Sequence, residues 1–156
     1  MWELPVTVLA GAVQRSNAVT AMMTVQTLRS KGLWLSASNL ANNSHFIQAV
    51  STGLNHIHLP GRFQQVNLKP LVYVDVAHNL QASQALASQI RSSQFSGQGN
   101  TWAIVAMLSD KDVAGVLDSV SAEIDFWCFA GLENADGGLS VQAFATKIPV
   151  SILPLQ

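Results

Sequence analysis

The stretch LVYVDVAHNLQASQALASQI, residues 71–90, constrains the fold of this chain more than any other part of it. Residues 71–76 form an apolar, β-branched run of the length and composition of a buried parallel strand. A polar corner follows, carrying Asp75, His78 and Asn79. Leu80, Ala82, Ala85, Leu86 and Ile90 then recur near helical spacing, which predicts an amphipathic helix. A buried strand feeding a helix through a short corner is half of a βαβ unit. Open α/β sheets hold their ligands at the carboxyl ends of such strands, so this corner is the first place to look for chemistry.

The same alternation returns twice. Residues 101–108 (TWAIVAML) read as a second buried strand, closing on Ser109, Asp110, Lys111 and Asp112. A helix to about Ala122 follows, with Val113, Val116, Leu117 and Val120 inward. Residues 126–132 (FWCFAGL) read as a third strand, with Cys128 in the core, and residues 139–146 as a short helix. Strands alternating with helices predict an α/β fold with a mainly parallel sheet. Residues 63–68 read as an edge strand that turns at Lys69-Pro70 into the strand at Leu71.

The first sixty residues are different in kind. Ser16 is suited to cap a helix over residues 17–30, with Gly32 beyond its end and Ala18, Ala21, Met22, Val25 and Leu28 in one stripe. A second helix is predicted over 38–54, with Leu40, Phe46, Ile47, Val50 and Leu54 inward. Pro60-Gly61 then breaks regular structure and marks the boundary between residues 1–60 and 61–156. Two helices and a linker do not close a core, so residues 1–60 read as the tail of a larger domain.

Composition narrows the class. Hydrophobic residues make up 49% of the chain and charged residues 11%, enough apolar matter for a sizeable core. A net charge of −1 without a basic run argues against a nucleic-acid surface. No apolar run reaches the roughly eighteen residues of a membrane span. One cysteine and no signal-peptide pattern fit a cytoplasmic protein. His45, His56 and His58 show no metal-ligand pattern, and no metal site is expected.

Asn17-Ala18, Leu59-Pro60-Gly61-Arg62-Phe63, Asp75-Val76-Ala77-His78-Asn79 and Met107-Leu108-Ser109-Asp110-Lys111-Asp112 occur in one order and spacing. Together they resemble the C-terminal part of the bacterial bifunctional dihydrofolate synthase/folylpolyglutamate synthase family, within the Mur ligase superfamily. The resemblance runs over about residues 4–146. It implies a Rossmann-like C-terminal domain from about residue 61, preceded by a helical remnant of the central ATPase domain, in a chain cut at both ends. It also implies an ATP-dependent amide ligase. In that family ATP, with Mg2+, phosphorylates a carboxylate of folate or dihydropteroate, and the amino group of L-glutamate attacks the acyl phosphate. The Mg2+ ligands would lie mostly outside this chain, in the missing N-terminal ATPase domain.

Several residues depart from the family. No G-x-x-x-x-G-K-[ST] phosphate loop occurs, and the terminal strand with its Gly-Ser-Phe motif is missing. Leu80 stands where a proline is usual. Glu133-Asn134-Ala135-Asp136 stands where the family often has an arginine-bearing Gly-Pro-Arg segment, and the loss of that arginine would weaken an anion contact.

The candidate site residues each have two readings. Asp75, ending a strand, suits the two hydroxyls of a ribose or the cap of the next helix; the resemblance assigns it to the nucleotide. Arg62 suits phosphate oxygens or a surface carboxylate; the resemblance puts it on the ATP phosphates. Lys111 at a helix N-terminus opposes the helix dipole, so it needs an anionic partner, either Asp110 or Asp112 or a ligand. The resemblance makes that ligand the glutamate carboxylate. It makes His78 a catalytic group orienting the acyl phosphate or the glutamate, and it places Asn17 at the adenine. Asn79 reads as a helix cap. A non-catalytic module that binds a nucleotide or docks on a partner is the competing reading. A dinucleotide oxidoreductase is disfavoured, because no G-x-G-x-x-G follows a strand.

Overall fold

The computed structural model describes residues 12–33, 43–93 and 99–152. The chain divides into two compact units, Met1–Gln64 and Gln65–Gln156.

Among the described residues, the first unit holds two helices, α1 (Ala12–Ser30) and α2 (Asn43–His56). Ser16 does not start α1, as its sequence context suggested. Ala12 to Arg15 are already helical, and the Ser16 carbonyl accepts from the Thr20 hydroxyl at 3.0 Å. The far end matches expectation. Gly32 adopts φ 66, and the Leu33 N–H reaches back to the Leu28 carbonyl at 3.0 Å. That bond closes a Schellman motif, which a residue without Cβ tolerates best. Phe46 of α2 is buried and lies under the Arg29 guanidinium, 4.8 Å from its ring centre. Ile47, expected to face inward, is exposed, and Leu40 lies outside the described residues.

In the second unit, β1 (Gln64–Leu68) pairs with β2 (Leu71–Val74), and α3 (Leu80–Ser92) follows. Next come β3 (Trp102–Val105), α4 (Val113–Val120), β4 (Phe126–Phe129) and α5 (Val141–Ala145). β3 and β4 run parallel, with Trp102 opposite Phe126 and Ile104 opposite Cys128. α4 is the crossover between them, as parallel pairing requires. The expected α/β alternation is therefore present, with its parallel pairing at β3–β4 and a separate ribbon at β1–β2.

The core forms on one side of β3–β4. Val113, Val116, Leu117 and Val120 recur at helical spacing, and all four are buried. Met107, Leu139 and a fully buried Phe144 complete the cluster, against Val105, Trp127 and Phe129. The Phe129 and Phe144 rings lie 5.2 Å apart. α3 is joined to α4 by a hydroxyl pair, the half-buried Ser119 Oγ donating to the buried Ser83 Oγ at 2.6 Å.

The strands are less buried than their sequences imply. Trp102 is 63% exposed and Ile104 81%, and Val72 and Val74 of β2 are exposed too. Cys128, expected in the core, is also exposed. The physical reason is alternation. Successive side chains point to opposite faces of a strand, and only the Ala103, Val105, Trp127 and Phe129 face meets the packed cluster. On the other face Trp102 stacks on Phe126 at 4.5 Å between ring centres.

Candidate functional site

Two turns at the carboxyl ends of β2 and β3 gather the polar side chains of the second unit. After β2, Asp75 is half-buried, and its Oδ1 accepts from the Ala77 N–H at 2.8 Å. This bond sets the corner. His78 is exposed, with Nδ1 at 2.9 Å from the Val76 carbonyl oxygen. A carbonyl can only accept, so Nδ1 carries a proton in this bond and Nε2 is left for other partners. Asn79 caps α3, its Oδ1 accepting from the Ala82 N–H at 2.9 Å. Asp75 thus shapes the turn while Asn79 serves the helix.

After β3 the chain is strapped before it turns. Leu108 bridges Gly138 in antiparallel sense, the Ser109 N–H donates to the Gly137 carbonyl at 2.8 Å, and the Leu139 N–H to the Met107 carbonyl at 3.2 Å. Lys111 Nζ then meets Asp110 Oδ2 at 2.7 Å. Asp112 caps α4, accepting from the Gly115 N–H at 3.0 Å. Of the two carboxylates open to Lys111, Asp110 is the partner and Asp112 belongs to the helix.

The hydrogen bond from Lys111 holds the Asp110 carboxyl below its usual range, against a smaller opposing effect of desolvation. The charge of His78 acts on Asp110 in the same direction. That contribution is the smallest of those on Asp110, so His78 acts on the Asp110–Lys111 turn only as a charge at a distance.

Asn17 and Arg62 belong to the first unit. Asn17 lies within α1, exposed, with Nδ2 donating to Gln14 Oε1 at 3.4 Å. Arg62 is exposed in a tight corner between Gly61 at φ 69 and Phe63 at φ 45. The Gly61 N–H donates to Gln64 Oε1 at 2.9 Å and holds that corner. Glu133, in the segment lacking the family arginine, accepts from the Val141 N–H at 3.3 Å at the start of α5. A carboxylate of this segment thus serves the start of α5.

Sequence reasoning missed Lys147, whose Nζ donates to the Ser109 carbonyl oxygen at 2.9 Å across 38 residues of chain. No spacing rule links residues so far apart. Among the described residues no group of three or more His, Cys, Asp or Glu side chains could hold a metal ion. Among the same residues no helix is long and apolar enough to cross a membrane.

Residues 61–152, a span that includes both turns, match the family model of the Mur ligase glutamate ligase domain. The chain belongs to the Mur ligase family. The dihydrofolate synthase/folylpolyglutamate synthase of Escherichia coli K12 is 35% identical over 130 residues, covering 83% of this chain and 27% of that protein. The Mycobacterium tuberculosis enzyme of the same name is 30% identical over 117 residues, covering 75% and 22%. Among solved structures, E. coli FolC in complex with DHPP and ADP superposes with a TM-score of 0.70 at 30% identity, over 95% of this chain and 31% of that one. A bifunctional folylpolyglutamate synthase/dihydrofolate synthase solved with Mn, AMPPNP and L-glutamate gives a TM-score of 0.58 at 40% identity, over 66% and 24%. The Mur ligase chain described here thus spans about a quarter of the length of its curated relatives.

Proposed function

We propose that this chain is part of an ATP-dependent amide ligase that joins L-glutamate to folate or dihydropteroate, and that it carries the amino-acid side of the site. One observation supports this most. The region matching the glutamate ligase domain holds a cation, Lys111, in the turn at the carboxyl end of β3, paired with Asp110 at 2.7 Å. An acidic amino acid needs a cation for its carboxylate, and Lys111 supplies one. In the free chain Lys111 is occupied by Asp110, so a substrate carboxylate must share or displace that bond. Nε2 of His78, when the ring is neutral, accepts from the reacting amine and orients it. The amide forms as the bond from the acyl carbon to phosphate breaks, and the amine releases a proton.

ATP supplies the phosphoryl group that activates the acceptor carboxylate. Toward it this chain would offer the half-buried Asp75 for the ribose, Arg62 for the phosphates and Asn17 for the adenine. Mg2+ would be held mainly through the substrate phosphates and one or two carboxylates outside this chain. With no phosphate loop in its sequence, the isolated chain neither hydrolyses ATP nor ligates glutamate.

The test is a graft. Residues 61–152 replace the corresponding segment of the E. coli enzyme, and glutamate-dependent phosphate release is measured with folate and with dihydropteroate. Release that falls at least roughly tenfold on Lys111→Ala supports the proposal. A stable graft that lacks glutamate-dependent release would defeat it.

A further inference from the structure

Lys147 lies just past α5, half-buried, with its own N–H donating to the Phe144 carbonyl at 2.9 Å. Phe144 is fully buried, so the backbone of Lys147 is anchored to a core residue. Its Nζ reaches the Ser109 carbonyl at 2.9 Å, where the chain leaves β3 for the Asp110–Lys111 turn. The Ser109 N–H is held as well, by the Gly137 carbonyl at 2.8 Å. Both backbone groups of one residue are thus fixed by a single later segment of the chain, residues 137–147. A hydrogen bond from an ammonium group is shorter and stronger than one between neutral groups. Beyond Ser109 the turn closes on itself, with the Lys111 N–H on the Leu108 carbonyl at 3.3 Å and the Val113 N–H on the Lys111 carbonyl at 3.0 Å. Those two bonds shape the turn, and its orientation is set at Ser109.

We infer that Lys147 is a positioning residue: by holding the Ser109 carbonyl, it orients the Asp110–Lys111 turn so that Lys111 is presented to the carboxylate of an incoming acidic amino acid. This inference rests on the proposed glutamate ligation and names what sets the geometry of its amino-acid subsite. Lys147 touches no reacting atom. It acts through Lys111.

The experiment titrates the 156-residue chain with L-glutamate, following the amides of residues 109–112 by NMR. The titration midpoint of the Asp110 carboxyl is read by carbon NMR on the same samples. Wild type is compared with Lys147→Met and Lys147→Arg, and thermal melts are recorded for all three. We expect Lys147→Met to weaken glutamate binding roughly tenfold or more, the scale of a misplaced contact. The Asp110 midpoint should rise toward that of a free aspartate while the melt stays in place. Lys147→Arg should restore both readings. Unchanged binding and an unchanged Asp110 midpoint in Lys147→Met would overturn the inference. So would a lowered melt with changes that arginine does not repair, since that marks a structural role. If wild type shows no saturable response to glutamate, the ligation reading fails. The Asp110 midpoint then decides on Lys147 alone, a rise keeping its hold on the turn and no change removing it.

Discussion

The Ser119 hydroxyl donates to the Ser83 hydroxyl at 2.6 Å, and Ser83 itself bonds the carbonyls of Asn79 and Leu80, each at 3.0 Å. Ser83 has no exposed surface. A half-buried polar contact between α3 and α4 therefore continues directly into the cap of α3, next to His78. We expect Ser83→Leu, which forces a larger side chain into this contact, to destabilise the chain by about 1–3 kcal/mol. Ser119→Ala leaves Ser83 with its carbonyl partners, so it should cost no more than about 1 kcal/mol. Urea unfolding of both variants checks the order. A Ser119→Ala loss as large as that of Ser83→Leu would contradict it.

Gly138 admits no side chain. A Cβ there would collide with the Leu132 carbonyl, whose carbon would lie at 2.7 Å. The obstacle is backbone and cannot rotate away. Gly138→Ala should disturb the Leu108 bridge and the Leu132 N–H bond to the Leu139 carbonyl together, and destabilise by roughly 2 kcal/mol. Thermal denaturation measures it, and a melt equal to wild type would show that the strap yields at no cost.

Asp110 should titrate below the roughly 3.9 of a free aspartate, because the Lys111 hydrogen bond favours its charged form. The sign follows from that direction. A carboxyl whose folded value is depressed lends stability above its unfolded value, and loses it as pH falls through the folded one. The Lys111 contact should therefore persist at neutral pH and open only in acid. Lys111→Ala should bring the Asp110 midpoint up with little change in the melt, since the pair is on the surface. Carbon NMR across the acid range reads both.

Arg62 sits on an exposed corner, so Arg62→Ala should change the stability of this chain by less than about 1 kcal/mol. In the E. coli graft the same change should cut turnover roughly tenfold or more, if the guanidinium meets ATP. A chain that unfolds on Arg62→Ala, paired with a graft indifferent to it, would make the residue structural.

Local regularities were legible in the sequence, and contacts between distant segments were not. The α4 face could be read because Val113, Val116, Leu117 and Val120 repeat every three or four residues, the period of the helix that buries them. Asn79 could be read because a cap acts within three residues. Ser16 misled, since a good capping residue is also tolerated inside a helix that begins earlier. Cys128 misled for another reason. A continuous apolar run such as FWCF does not say whether both faces of its strand are covered. At the site, Lys111 stood out by opposing a helix dipole, while Lys147 depends on a fold that closes 38 residues of chain.

Cys128 is the sole cysteine of the sequence, and it lies on the exposed face of β4 beside Ile104. The bare strand face thus doubles as an attachment point for a probe. A maleimide dye should couple to the native chain at one defined position, without prior denaturation. Trp102, stacked on Phe126 on that same face, provides an intrinsic energy donor nearby. Any molecule that settles over β3–β4 would change the signal between them, so this surface can be watched without engineering the protein.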